Sequence, residues 1–338
     1  MTVSTPGPAA VMGAGSVGCF VGGRLQGAGA PVHFVGRPRV LGALKAAGLS
    51  LTDCEGGELS LPASRLHLHE RPPADAALVL LCVKSGATAE AAALLAERVA
   101  PGTPVLSLQN GVANAAVGAE AGREAAPALH WLPGMVPYNI AELGPGRFHR
   151  GTTGRLAAQD HPALRPWLPL FDAAGLRLQL HADLAPVQWG KLLLNLNNPI
   201  NALSGLPLRA QLLDRDYRVV LAALQSEALG VMKAAGIRPA RLTPLPPALL
   251  VQVLRLPTWL FKRVASRMLK IDDQARSSMA DDLALGRPTE VDALCGAIVR
   301  LARDHKLKAP LNARMLLMLN AATPGGRSGR RMRHDLGC

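Results

Sequence analysis

Aromatic residues make up only 3% of this 338-residue chain, and no run of about 18 apolar residues escapes a charge or a helix breaker. The second scarcity predicts no membrane-spanning helix, and the first, with no nucleic-acid-binding motif in view, makes nucleic acid the weaker choice of partner. Cysteine is also sparse. Cys19, Cys54, Cys82, Cys295 and Cys338 are scattered without a C-x-x-C pair, a pattern that predicts free thiols. Histidines are equally dispersed; His67 and His69 stand two apart with no other ligand candidates near them in sequence, so no metal is expected. Residues 1–8 have neither a basic stretch nor an apolar core of signal-peptide type, which makes cytoplasm the expected compartment.

What the chain does have is apolar material, 49% of its residues, and a length that suits two domains. Its formal charge of +13 is uneven: residues 1–187 hold 14 Lys and Arg against 13 Asp and Glu, whereas 188–338 hold 23 against 11. Two regions of different character are implied, the second able to attract a small anion.

Near the start, Ala9-Ala10-Val11-Met12 leads into Gly13-Ala14-Gly15-Ser16-Val17-Gly18, followed by helical patterning over 17–29. The spacing G-x-G-x-x-G between a buried strand and a helix assigns each glycine a task. Gly13 makes the turn, Gly15 lets a pyrophosphate approach the backbone, and Gly18 lets the helix pack on the sheet. The helix N-terminus then offers free N–H groups and the positive end of its dipole. A second strand at 31–35 runs into Gly36-Arg37, where an NAD-binding fold would place an acidic residue for the ribose 2′-hydroxyl. Arginine there suits a 2′-phosphate and points to NADPH/NADP+.

Further along, a helix is expected at 40–47 and a turn at 55–57. Two continuous apolar runs, 77–83 and 104–108, read as strands buried on both faces, with a helix over 87–99 between them. They end at Lys84 and at Gln109-Asn110-Gly111, which places Lys84 and Asn110 on the ligand side of a parallel sheet. Strand-like pieces at 135–138, 146–149 and 154–157, a helix over 161–174 and a strand at 176–180 then complete a first domain. From 185 the patterning is helical. Lys191 and Asn195 share one face of a largely apolar helix, Thr289 or Pro288 starts a helix with Glu290 in its first turn, and another helix spans 312–320. The expected organisation is α/β: an N-terminal Rossmann-type doubly wound sheet over 1–183, an all-helical C-terminal domain over 184–324, and a basic, disordered tail over 325–338.

Together, G-A-G-S-V-G, V-K after one buried strand, Q-N-G after the next, W-G-K-L-L-x-N, S-S-M-x-x-D and R-P-T-E-V-D run in order from residue 13 to about 296. This set resembles the ketopantoate reductase (2-dehydropantoate 2-reductase) family. The resemblance implies NADPH-dependent reduction of ketopantoate to pantoate, a step of pantothenate and coenzyme A biosynthesis. By the same resemblance Lys191 matches the catalytic lysine that protonates the substrate carbonyl oxygen, and Glu290 matches the acid that binds a substrate hydroxyl. Asn195 and Ser278 match substrate-binding positions, Asn110 an asparagine beside nicotinamide and substrate, and Lys84 and Arg37 basic residues on the cofactor side. Gly13, Ala14, Gly15, Ser16, Val17 and Gly18 match the cofactor loop, and a homodimer is permitted. One departure stands out. The family often carries a further asparagine eight residues after the lysine, where this chain has Pro199; one of Asn197, Asn198 and Asn201 takes that role, and Asn198 joins the candidate substrate residues. Competing readings are a reductase of another branched 2-keto acid and a non-catalytic NADP-binding sensor or scaffold. The basic stretch 255–270, with Lys262, Arg263 and Arg267, reads as a solvated helix face.

Overall fold

The computed structural model describes residues 5–123, 129–266, 269, 272–323 and 326–338. It divides into two compact units, Met1–Leu184 and Ala185–Cys338. In the first, the strands are β1 (Ala9–Met12), β2 (Val32–Val35), β3 (Leu49–Asp53), β4 (Glu58–Leu61), β5 (His67–His69), β6 (Leu78–Leu81), β7 (Pro104–Ser107), β8 (His130–Met135), β9 (Ile140–Gly144), β10 (Arg147–Arg150), β11 (Ala157–Gln159) and β12 (Gln179–His181). Eight of them form one sheet in the order β12-β11-β8-β7-β6-β1-β2-β5, parallel except where β11 meets β8. The chain leaves β1 towards β2 and β5 on one side, then returns to β6 and continues to β7 on the other. The order therefore reverses between β1 and β6, and the carboxyl ends there are where such sheets take ligands.

Strand residues that alternate across this sheet enter two cores. Ala9 and Val11 pack in one with Phe20 and Phe34, whereas Ala10 and Met12 pack in the other with Val79 and Leu81. Burial on both faces explains why β1 and β6 read as unbroken apolar runs and why β7 is apolar but for the buried Ser107.

Several expectations need correction. The segment placed at 135–138 forms its strand earlier, as β8, and β9 was not expected. Of the pieces at 135–138, 146–149 and 154–157 that were expected to extend the main sheet, the first and last lie beside its strands β8 and β11, whereas the middle one, β10, joins β3, β4 and β9 in a second, four-stranded sheet, β4-β3-β10-β9. Between 161 and 174 a 3-10 turn, Pro162–Trp167, precedes a short α-helix, Leu168–Ala173; Pro166 and Pro169 each remove a backbone donor and prevent one continuous helix. The strand after it is shifted to Gln179–His181.

The second unit is helical. The helix Gly329–Leu336 stands where a disordered tail was expected, because Met332 and Leu336 are buried and Ser328 caps the N-terminus. Tyr217 Oη donates to the Arg327 carbonyl at 2.6 Å, and Arg333 pairs with Asp216 at 3.0 Å. On the basic stretch, Arg255, Lys262 and Arg263 are exposed, while Arg267 and Lys270 lie outside the described residues. No helix among the described residues is long and apolar enough to cross a membrane.

Candidate active site

In the first unit the glycine loop has the geometry that its sequence demands. Gly13 sits at φ +109°, a conformation side chains avoid, and a Cβ there would fall 2.6 Å from the Val83 backbone nitrogen. At Gly18 a Cβ would lie 2.2 Å from the Gly13 carbonyl oxygen, so only glycine lets the first turn of Ser16–Gly27 approach the loop. Gly15 is different. It has an ordinary φ of −87°, and a Cβ there would meet nothing within 4 Å. Steric need inside the protein therefore accounts for Gly13 and Gly18, and open space stands in front of Gly15. No side chain caps this helix, and no acidic residue lies in its first turn, which leaves an anion-ready N-terminus among Gly15, Ser16 and Val17.

The neighbouring strand ends frame the loop. Ala14 and Gly13 both donate to the Val35 carbonyl at 3.0 Å, joining the glycine turn to the end of β2. Gly36 follows with space limited by Ala14, and Arg37 is exposed at the N-cap of Pro38–Ala47. Past β6, exposed Lys84 precedes the single turn Ser85–Ala87. Ser85 Oγ donates to the Asn110 carbonyl at 3.1 Å, and Asn114 Nδ2 donates to the same oxygen at 2.7 Å. Gln109, in the same Q-N-G run, is buried and donates to the Val83 carbonyl at 2.9 Å and to Thr88 Oγ1 at 2.8 Å. Thus Gln109 ties together the loops that carry Lys84 and Asn110, a role its position beside a turn dipeptide did not reveal.

In the second unit the helix Ala185–Asn195 carries Lys191 and Asn195. Asn195 is buried. Lys191 keeps part of its surface accessible, yet burial lowers its pKa from the ordinary lysine value, and no neighbouring charge contributes to that shift. Among the described residues it makes no hydrogen bond or ion pair. The helix stops at Leu196 and a second, Asn197–Ser204, begins with Pro199 in its first turn, the disturbance that a proline at this position predicts.

The three asparagines near Pro199 separate clearly. Asn197 exchanges hydrogen bonds with Gln211, its Oδ1 accepting at 2.9 Å. Asn201 donates to the Leu206 carbonyl at 2.9 Å and accepts from the Ser277 N–H at 2.9 Å. Both are committed to packing. Only the Asn198 side chain makes no hydrogen bond among the described residues, while its carbonyl accepts from Ser277 Oγ at 3.4 Å. Ser277 also caps Ser278–Ala284 by accepting from the Ala280 N–H, so exposed Ser278 opens a helix set directly against Asn198's. Arg287 N–H then donates to the Asp282 carbonyl at 2.7 Å and links this helix to the segment bearing Glu290.

Glu290 precedes its helix instead of lying within the first turn: the helical run starts at Val291 and its opening, Asp292–Gly296, is a π-helix. The Glu290 carbonyl accepts from the Ala293 N–H at 3.0 Å. Arg300 grips the Asp292 carboxylate at 2.8 and 2.9 Å and its carbonyl at 2.9 Å, stabilising the wide turn. Such turns are frequent at functional sites, but nothing in the residue pattern announces one. Among the described residues no group of three or more His, Cys, Asp or Glu is arranged to hold a metal ion.

Comparison with known proteins covers both units. Residues 9–163 match the family described as "Ketopantoate reductase PanE/ApbA", and 183–323 match "Ketopantoate reductase PanE/ApbA C terminal". The chain is 32% identical over 310 residues to a 2-dehydropantoate 2-reductase of Halobacterium salinarum, covering 89% of this chain and 94% of that one. A crystal structure of a PanE/ApbA family ketopantoate reductase from Ralstonia eutropha superposes with a TM-score of 0.76 at 28% identity, covering 98% and 100% of the two chains. The fold is shared more distantly by a D-mandelate dehydrogenase solved with NADH and anilino(oxo)acetate, at 17% identity, a TM-score of 0.74 and coverage of 98% and 99%. With both of its units matched over most of their length, the chain belongs to the ketopantoate reductase family of pyridine-nucleotide-dependent oxidoreductases acting on CH–OH groups.

Proposed function

We propose that this protein uses NADPH to reduce the C2 carbonyl of ketopantoate, giving pantoate. The observation that carries the reading is Lys191: a desolvated ammonium with no partner among the described residues, on one helix face with Asn195, inside the W-G-K-L-L-x-N run. Bound NADPH would supply the hydride. As that hydride reaches C2, the carbonyl electron pair moves to oxygen; Lys191 stabilises the growing charge and gives the oxygen its proton, leaving an alcohol. Glu290 accepts a hydrogen bond from a substrate hydroxyl, and Asn195, Asn198, Ser278 and Asn110 orient the remaining polar groups. Gly13, Ala14, Gly15, Ser16, Val17 and Gly18 hold the pyrophosphate, and Lys84 and Arg37 face the cofactor phosphates, Arg37 pairing with the 2′-phosphate. The metabolic setting is coenzyme A biosynthesis in the cytoplasm, with a homodimer as the working assembly.

One observation keeps a second substrate in view. By the family resemblance Pro199 stands where an asparagine is common, and Asn198, one residue earlier, keeps a side chain with no hydrogen bond among the described residues and so offers its amide from a different point of the helix. Another branched 2-keto acid is the alternative. The test is steady-state turnover of purified protein with ketopantoate and a panel of branched 2-keto acids, each with NADPH and NADH. Ketopantoate with NADPH should give the highest kcat/KM; a higher value for another acid reassigns the substrate, and no turnover of any acid ends the enzymatic reading.

A further inference from the structure

A helix that ends in the protein interior must find donors for its last carbonyls. The helix carrying Lys191 meets this problem early, because the chain turns at Leu196 before the next helix begins. At Leu193 the carbonyl receives Leu196 N–H at only 3.3 Å, a long bond of the tight three-residue type. A second donor completes it: Gln225 Nε2, at 2.9 Å, from the middle of the long helix Arg215–Ala234. Donation to a carbonyl requires the NH2 group, so chemistry fixes which way the amide points. Gln225 is 3% exposed, and Oε1 makes no hydrogen bond among the described residues. Gln225 also lines a mainly apolar pocket with Leu193, Leu194, Leu229, Leu242 and Leu250.

Burying an unpaired amide oxygen among leucines is unfavourable. A methionine would fill the same space without that cost, so packing does not explain a glutamine here. What glutamine adds is the grip on Leu193, between Lys191 and Asn195. The opposite end of the helix is held too. Ala240 N–H donates to the Pro186 carbonyl at 2.7 Å, and the Ala240 carbonyl oxygen would lie 2.6 Å from a Cβ on Gly190. Lys191 therefore rides between a beginning held by Ala240 and an end at which Gln225 adds a side-chain donor to the backbone bonds that Leu196 N–H makes to the Leu192 and Leu193 carbonyls.

We propose that Gln225 is a positioning residue for the reaction, setting the last turn of the helix and with it the direction of the Lys191 ammonium and the Asn195 amide. The inference rests on the reading of Lys191 as proton donor. Its test uses Gln225→Met, which keeps size and removes the donor, and Gln225→Glu, whose carboxyl can donate to Leu193 only when protonated. In Gln225→Met, kcat for the 2-keto acid should fall at least tenfold while KM and NADPH affinity stay within about twofold and Tm does not drop. In Gln225→Glu, kcat should recover as pH falls through the carboxyl titration, a rise that wild type and Gln225→Met do not show. Wild-type kcat in Gln225→Met overturns the proposal, as does a loss of kcat that only follows a loss of Tm. Titration of the Lys191 ammonium by NMR separates this from failure of the functional reading. A wild-type Lys191 signal in Gln225→Met sinks the positioning role even if no 2-keto acid is reduced, and a displaced signal supports it.

Discussion

Gly15→Ala separates what the glycine loop does for the fold from what it does for a ligand. At this position φ is −87° and ψ −168°, which alanine adopts freely, and the added Cβ would touch nothing within 4 Å. The fold has no steric reason to object. Replacing glycine by alanine at a compatible site narrows the unfolded ensemble, worth about 0.4–1 kcal/mol of stability, so Tm should hold or rise by roughly 1–4 °C. The cofactor has every reason to object, because the methyl group occupies the space through which a pyrophosphate reaches the helix N-terminus. Losing one charge-assisted hydrogen bond costs about 1.5–3 kcal/mol, or roughly a 10- to 100-fold rise in Kd for NADPH. Calorimetric melting of the free protein and fluorescence titration with NADPH give the two numbers. The same substitution at Gly18, where the Cβ would fall 2.2 Å from a backbone oxygen, should lower Tm instead. An unchanged NADPH Kd in Gly15→Ala would refute the reasoning, since the open space would then not be where phosphate binds.

Other substitutions address the remaining parts. Arg37→Ala should weaken NADPH roughly tenfold and leave NADH almost unaffected; equal losses would mean that the guanidinium does not read the 2′-phosphate. Gly190→Ala drives a methyl against the Ala240 carbonyl at 2.6 Å, so both Tm and kcat should fall, and an unperturbed Tm would show that the helix can shift without penalty. Because burial lowers the Lys191 pKa, kcat/KM should decline with rising pH at values below the free-lysine value of about 10.4; a profile flat to that value would exclude Lys191 as the titrating acid. The linkage sign follows. A lysine with a depressed folded pKa favours folding above its unfolded pKa and loses that contribution as pH falls through the folded value, so Lys191→Met should raise Tm at neutral pH.

What could be read in advance followed from local demands. Gly13 and Gly18 are imposed by distances of a few ångströms within one strand-turn-helix, and the doubly wound sheet announces itself through strands buried on both faces. The second sheet could not be read this way. It pairs β10 with β3, about a hundred residues earlier, and Arg150, buried against Asp53 and Glu55 and facing Tyr138, carries no short-range sign of those partners. The C-terminal segment misled for a related reason: a composition of arginine and glycine describes solvation, while Met332 and Leu336 docked on the helix Arg215–Ala234 decide the outcome. At the site, Lys191, Asn195, Ser278 and Glu290 were legible as motif members. Gln109, Gln211 and Gln225 were not, because a buried glutamine has no spacing rule and its purpose appears only with the carbonyl or amide it holds. Asn198 is a candidate in the sequence already, but the partners that commit Asn197 and Asn201 elsewhere, Gln211 and the Leu206 and Ser277 backbone, appear only in the structure.

The central claim is that Lys191 protonates the carbonyl oxygen of ketopantoate as NADPH is oxidised. The most direct test measures that oxidation for wild type and Lys191→Met at one neutral pH, with NADPH binding to both verified by fluorescence. The account predicts ketopantoate-dependent oxidation by wild type and a loss of roughly 100-fold or more in the variant, with NADPH still bound. Wild-type turnover in Lys191→Met, or no oxidation by the wild-type protein, would contradict it.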